Sequence, residues 1–290
     1  MMQSPIKKVA AIHDLSGFGR ASLTQVIPIL SRMGMQVCPL PTAVLSTHSK
    51  FNNFHFVDLT RELTPIIDHW KALNLNFDAI YSGFLGSHEQ VDIVAHMIDS
   101  FRQEDQLVVV DPVLGDDGKI YKPFNINLVE EMKRLITKAD LITPNLTEAA
   151  LLLDKPFPED ISTEKAKQWC KALSDKGPET VIITSVPEQD PKAKTAVIAY
   201  DSCDKRYWKV TVNYIPASYP GTGDAFTSVI TGAWLQGDSL PIALDRAVKF
   251  TSMGVKATFG YDYNANHGIL LEKILHTLDA PFQGISYELI

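Results

Sequence analysis

Gly221-Thr222-Gly223-Asp224 stand directly before an apolar helical pattern. The glycines allow backbone angles that other residues resist, and they let an anion come close to the chain. The N–H groups that open a helix lack intrahelical partners, and the helix dipole there favours negative charge. Asp224 is the odd member of the set. A carboxylate beside an anion site binds anions poorly, but it makes sense as a base for an attacking hydroxyl. The same residues also suit an ordinary helix start, with Thr222 or Asp224 as its cap. Taken alone, the stretch does not choose between capping and phosphoryl chemistry.

Four other polar or glycine-rich runs follow short apolar segments: His13–Gly19, Ser82–Ser87, Asp111–Gly118 and Thr143–Glu148. In open α/β sheets, ligands gather beyond the carboxyl ends of the strands. Together the runs outline the rim of a cleft. Gly17-Phe18-Gly19 invites a dinucleotide reading. It lacks the third glycine, and it lacks the acid expected about 20 residues on. No G-x-x-x-x-G-K-[ST] phosphate loop is present.

Positioning these runs requires alternating strands and helices. Strands are predicted at Val9–Ile12, Met35–Cys38, Phe77–Tyr81, Leu107–Val110, Leu141–Thr143 and Val181–Ile183. Helices are predicted at 22–33, 63–73, 89–102, 126–138 and 163–174, with two more at 223–236 and 239–258. Lys194–Tyr200 and Lys205–Val212 flank a turn and predict an antiparallel pair. The rhythm predicts a mostly parallel sheet with helices on both faces. Residues 187–191 predict a surface loop rather than a boundary, so residues 1–290 are read as one domain.

The 290 residues are 45% hydrophobic and 21% charged, with net charge −7, which argues against a general nucleic-acid surface. No apolar run approaches the roughly 20 residues of a membrane span. The N-terminus is too polar for a secretory signal, and Cys38, Cys170 and Cys203 are too scattered for a disulfide or zinc framework. A cytoplasmic protein with free thiols is expected.

Ser82-Gly83-Phe84-Leu85-Gly86-Ser87, Asp111-Pro112-Val113-Leu114-Gly115, Thr143-Pro144-Asn145-Leu146-Thr147-Glu148 and Gly221-Thr222-Gly223-Asp224 occur in that order. With this set, nearly the whole chain resembles the ribokinase-like superfamily, and within it the pyridoxal kinase family of vitamin B6 kinases. The resemblance implies a ribokinase-like three-layer α/β fold without a separate lid domain. It implies ATP-dependent phosphorylation of the 5′-hydroxymethyl group of pyridoxal, pyridoxine or pyridoxamine. Asp224 matches the family's catalytic base, and Gly221, Thr222 and Gly223 match its anion hole.

Asp111 and Glu148 match positions that serve Mg²⁺. Read alone, they are a strand-end turn residue and a first-turn helix acid. Asn145, Thr184, Ser185 and Thr222 match the ATP-phosphate side, and Asn145 also suits a helix cap. The adenine side falls near 212–215 and 253–258, and residues 116–121 match a loop that closes over the phosphates. On the substrate side lie Asp14, Ser16, His48 and Phe84. Phe84 stands where the family usually has tyrosine, and core packing is its plain alternative. Asp14 stands where many pyridoxal kinases carry serine, and a carboxylate there would meet the ring nitrogen or 3-hydroxyl. Asp14-Leu15-Ser16-Gly17 also resembles an early motif of hydroxymethylpyrimidine kinases, which perform the same chemistry on a thiamin precursor. The expected partners are a small vitamer and ATP, with no nucleic acid and no membrane. A monovalent cation is left open. An edge not covered by a lid favours a homodimer, by fold analogy.

Overall fold

The computed structural model describes residues 5–121, 126–158, 160–188, 190, 193–279, 284 and 286–290. The N-terminal signal reading and the loop predicted at 187–191 lie partly outside these residues. The first half runs β1 (Lys8–Ser16), α1 (Leu23–Arg32), β2 (Gln36–Leu45), β3 (Phe56–Asp58), α2 (Thr60–Ala72), β4 (Ala79–Ser82) and α3 (His88–Phe101). Then come β5 (Leu107–Val110), β6 (Gly115–Asp116), β7 (Lys119–Ile120), α4 (Ile126–Ile136), β8 (Leu141–Ile142), α5 (Leu146–Leu152) and α6 (Thr163–Ser174). The last part is β9 (Thr180–Pro187), β10 (Lys194–Asp201), β11 (Arg206–Asn213), α7 (Thr222–Leu235), α8 (Leu240–Phe259) and β12 (Tyr287–Leu289).

Among the described residues, one ten-stranded sheet has the order β12-β11-β10-β9-β8-β5-β4-β1-β2-β3. The middle, from β9 to β2, is parallel, and both margins are antiparallel. Alternate residues of each strand feed opposite faces. Ala10, Ile12, Val108 and Val110 pack with α2 to α6. Val9, Ala11, Leu107 and Val109 pack with α1, α7 and α8. Both faces of the central strands are thus buried, which is why their sequences read as unbroken apolar runs. The chain reverses its direction of travel across the sheet between β1 and β4, and such a switch point opens a crevice at the carboxyl ends.

Three strands run further than predicted: β1 and β9 past their apolar cores, and β2, predicted at Met35–Cys38, on to Leu45. β1 continues through Asp14 to Ser16, and β2 carries an extra residue where Thr42 and Ala43 face Asp14. The predicted strand at Val181 does not end before Thr184 and Ser185. β9 runs on to Pro187, and these two residues form a bulge opposite Val197. Ser185 sits there at φ 60. A bulge re-aims side chains without ending a strand.

Candidate active site

Gly221 caps the start of α7, and its φ of 79 lies in the left-handed region. A Cβ there would lie 2.2 Å from Gln25 Nε2 and 2.3 Å from the Arg20 carbonyl oxygen. Gly223 is different: its Cβ would meet nothing nearer than Asp111 Oδ2 at 3.7 Å, so its open side faces the crevice. The Thr222 hydroxyl turns back and donates to the Tyr219 carbonyl at 3.1 Å. Asp224, in the first turn, accepts the Ser22 backbone N–H on Oδ2 at 2.8 Å. Its Oδ1 lies 3.8 Å from His13 Nδ1, beyond hydrogen-bond reach. Burial drives the His13 pKa down to about 3, so this imidazole is neutral beside the carboxylate. Burial raises the Asp224 carboxyl to about 7; the Ser22 N–H opposes the rise and the Asp14 charge adds to it.

The residues expected on the substrate side lie at the switch point, on β1 and beside it. β1 lies between β2 and β4, so Asp14 and Ser16 sit between the loop carrying His48 and the turn carrying Phe84. Asp14 is 5% exposed. It accepts the Ser16 hydroxyl on Oδ2 at 3.1 Å and the Ser22 hydroxyl on Oδ1 at 2.5 Å. Burial raises its pKa, and the two hydroxyls work against the rise. Both His48 nitrogens are engaged. Nε2 reaches the Asn266 carbonyl at 2.5 Å, and Nδ1 accepts the Lys50 N–H at 3.3 Å. A carbonyl only accepts and an amide N–H only donates, so His48 is neutral and protonated on Nε2. It therefore offers a ligand its ring rather than a polar atom. Phe18, Phe51 and His267 join it in an aromatic wall, with Phe18 and His267 centroids 4.9 Å apart. Phe84 is half-buried, and its carbonyl accepts the Thr42 hydroxyl at 3.4 Å.

On the other side of the crevice, Asp111 directly follows β5 and Glu148 lies in the first turn of α5. Asn145 and Glu148 form a reciprocal capping box. Glu148 accepts the Asn145 N–H at 2.8 Å and the Leu114 N–H at 3.1 Å. The Asn145 amide also donates to the Gly115 carbonyl at 2.8 Å, which pins the hairpin of β6 and β7. The loop expected at 116–121 is this hairpin, with left-handed Asp117 and Gly118 at its tip. Thr184 pairs by backbone with Asn145, so the bulge of β9 lies against the same cap. Burial and Asp224 push the Asp111 carboxyl up to about 8, and burial and Asp111 raise Glu148. A cavity of about 560 Å³ beyond the bulge is lined by Lys194, Val212, Asn213, Ile215, Ser252 and Lys256. It coincides with the two segments expected at the adenine side.

A family model described as phosphomethylpyrimidine kinase matches residues 40–270. The chain belongs to this kinase family. A Bacteroides thetaiotaomicron chain, provisionally named a phosphomethylpyrimidine kinase and solved with pyridoxal, is 61% identical. The match covers 98% of this chain and 100% of that one, with a TM-score of 0.96. The pyridoxal kinase of Lactobacillus plantarum is 31% identical over 94% of this chain and 96% of its own, with a TM-score of 0.85. Arabidopsis thaliana pyridoxal kinase is 28% identical, covering 84% of this chain and 78% of its own. The ribokinase-like α/β fold is therefore shared with solved pyridoxal kinases, and this phosphomethylpyrimidine kinase family member stands among proteins carrying both names.

Sequence reading of this family member missed Ser22, His13 and Thr47. Ser22 touches both Asp14 and Asp224. The Thr47 hydroxyl is buried without a hydrogen-bond partner among the described residues, beside His48. A polar residue next to His48 was a usable signal for Thr47. Nothing in the sequence places Ser22 beside a carboxylate 202 residues away.

Proposed function

We propose that this kinase transfers the γ-phosphoryl group of ATP to the 5′-hydroxymethyl oxygen of a B6 vitamer. The observation that carries the reading is Asp224: one oxygen fixed by the Ser22 N–H, the other 3.8 Å from His13 Nδ1 and beyond hydrogen-bond reach, at the start of a helix opened by Gly221-Thr222-Gly223. The vitamer's hydroxymethyl oxygen attacks the γ-phosphorus, and Asp224 takes its proton. The bond between the γ-phosphorus and the β–γ bridging oxygen breaks, and ADP leaves with that electron pair. The opening N–H groups of α7, with Gly223 open to the crevice, receive the charge of the phosphoryl oxygens. Asp14 meets the polar edge of the ring, and Phe84 and the His48 wall pack on its faces.

Asp111 and Glu148 fit a magnesium ion. They are buried oxygen donors: Asp224 raises the Asp111 pKa and Asp111 raises that of Glu148, and a cation relieves this repulsion. Among the described residues no group of three or more His, Cys, Asp or Glu could hold a metal. Magnesium's habit of keeping waters and phosphate oxygens suits such a sparse set, and when bound it neutralises charge on the transferring phosphate.

The Asp14-Leu15-Ser16-Gly17 run and the matching family model support a second acceptor, hydroxymethylpyrimidine. The 61% identical relative holding pyridoxal favours the vitamer. ADP release measured over pyridoxal, pyridoxine, pyridoxamine and hydroxymethylpyrimidine is expected to give the highest kcat/KM with a vitamer. A higher value for the pyrimidine would transfer the assignment to that alcohol.

The pH profile is a separate test. A base works only when ionised, so kcat should fall as the pH drops through the Asp224 pKa. Burial places that limb well above the ordinary carboxylate value of about 3.9. A limb at the ordinary value would show that the carboxyl is not held in a dry site.

A further inference from the structure

Serine at the start of a helix ordinarily turns its hydroxyl onto the first-turn N–H groups. Ser22 precedes α1 and makes no such cap. Its backbone lies at φ 52 and ψ −133, a region that residues with a side chain rarely adopt. The residue is 7% exposed. In this conformation each of its polar groups has a separate task. The N–H donates to Asp224 Oδ2 at 2.8 Å. The hydroxyl donates to Asp14 Oδ1 at 2.5 Å. The carbonyl accepts the Val26 N–H at 3.0 Å and so begins α1. A hydroxyl has one proton, and giving it to Asp14 fixes the rotor. Backbone strain at a buried non-glycine residue persists only where its surroundings demand it. Here the demand is simultaneous contact with two carboxylates from opposite ends of the chain.

We infer that Ser22 is a positioning residue: its N–H orients the base Asp224 while its hydroxyl orients Asp14, so that recognition of the acceptor ring and placement of the base form one hydrogen-bonded unit. The inference rests on the function proposed above. Asp14 keeps lone pairs for the ring edge because Ser16 and Ser22 occupy only part of its acceptor capacity. Without the Ser22 hydroxyl, Asp14 loses the contact that fixes its plane, whereas the N–H on Asp224 remains.

The test uses Ser22→Ala, Ser22→Gly, Asp14→Asn, the double variant Ser22→Ala/Asp14→Asn and Asp224→Asn in the full chain. Glycine suits the backbone angles of residue 22, so Ser22→Gly separates the hydroxyl from the strain. Both single Ser22 variants should raise the vitamer KM roughly tenfold, the scale of one hydrogen bond to a charged group. The ATP KM should stay unchanged. The double variant should be no worse than Asp14→Asn alone, because the hydroxyl acts through Asp14. A parental vitamer KM in Ser22→Gly, or losses that add in the double variant, overturns the inference. If Ser22→Ala fails to fold, Ser22→Gly decides. If Asp224→Asn keeps its kcat, the reading of the base fails, and the inference fails with it. If Asp224→Asn loses kcat while the Ser22 variants keep the parental KM, only the role of Ser22 fails.

Discussion

Asp224→Asn should lower kcat by about 10²–10⁴, the range that general-base catalysis contributes. The effect should fall on kcat, because asparagine keeps the shape and can still accept the Ser22 N–H through its carbonyl oxygen. ATP affinity should be preserved, since no nucleotide-side residue is disturbed. Steady-state kinetics with a vitamer and an independent nucleotide-binding titration check this together. The same variant should be more stable than the parent at pH 8. The folded-state pKa of Asp224 is raised to about 7, so folding favours its protonated form. Between the ordinary carboxylate value and about 7 the folded state binds more protons than the unfolded state, and stability declines as pH rises through this window. Above it the ionised carboxylate costs on the order of 1–4 kcal/mol, which asparagine avoids. At pH 3 the acid is protonated in both states and this gain should disappear. Thermal unfolding of both proteins at the two pH values measures the difference.

Gly221→Ala should abolish turnover and lower the melting temperature as well. Its left-handed φ already disfavours alanine, by about 1–2 kcal/mol. The added methyl would also run into Gln25 Nε2 and the Arg20 carbonyl, which are hydrogen-bonded to each other at 2.8 Å. Arg20 is itself tied to Tyr263, to the His267 carbonyl and to Glu272, so displacement there spreads into the segment behind the aromatic wall. Gly223→Ala provides the contrast. Nothing crowds its Cβ, so the melting temperature should hold while the methyl occupies the approach to the first-turn N–H groups and kcat falls. Melting curves and kcat for the two variants separate the glycine that the fold needs from the glycine that the anion needs. Equal losses of stability would merge the two roles.

The fold was legible because its central strands are covered on both faces. Leu107–Val110 reads as one apolar run, and the strand occupies those residues. Helix Thr163–Ser174 is likewise found where its periodicity places it. Legibility fails where pairing depends on backbone rather than on apolar side chains. β3 shows exposed Phe56 and Val57, and β12 pairs with β11 from the far end of the chain. The far ends of β1 and β9 mix polar residues with bulges, so neither strand end shows in the pattern. At the site, Asp224, Asp111 and Glu148 stood out as carboxylates in glycine- or proline-marked runs. Asn145 was readable as a cap because Glu148 follows it by three. Ser22 was invisible as a functional group. A serine before a helix predicts a cap, and only the fold brings Asp14 and Asp224 to either side of it.

Phosphorus NMR of the protein with magnesium, ATP and pyridoxine, run beside Asp224→Asn, tests the central claim most directly. The account predicts a phosphate monoester on the vitamer's hydroxymethyl carbon, equimolar with ADP, and almost none from the variant. ADP accompanied only by inorganic phosphate, or ester formation undiminished in Asp224→Asn, would contradict it.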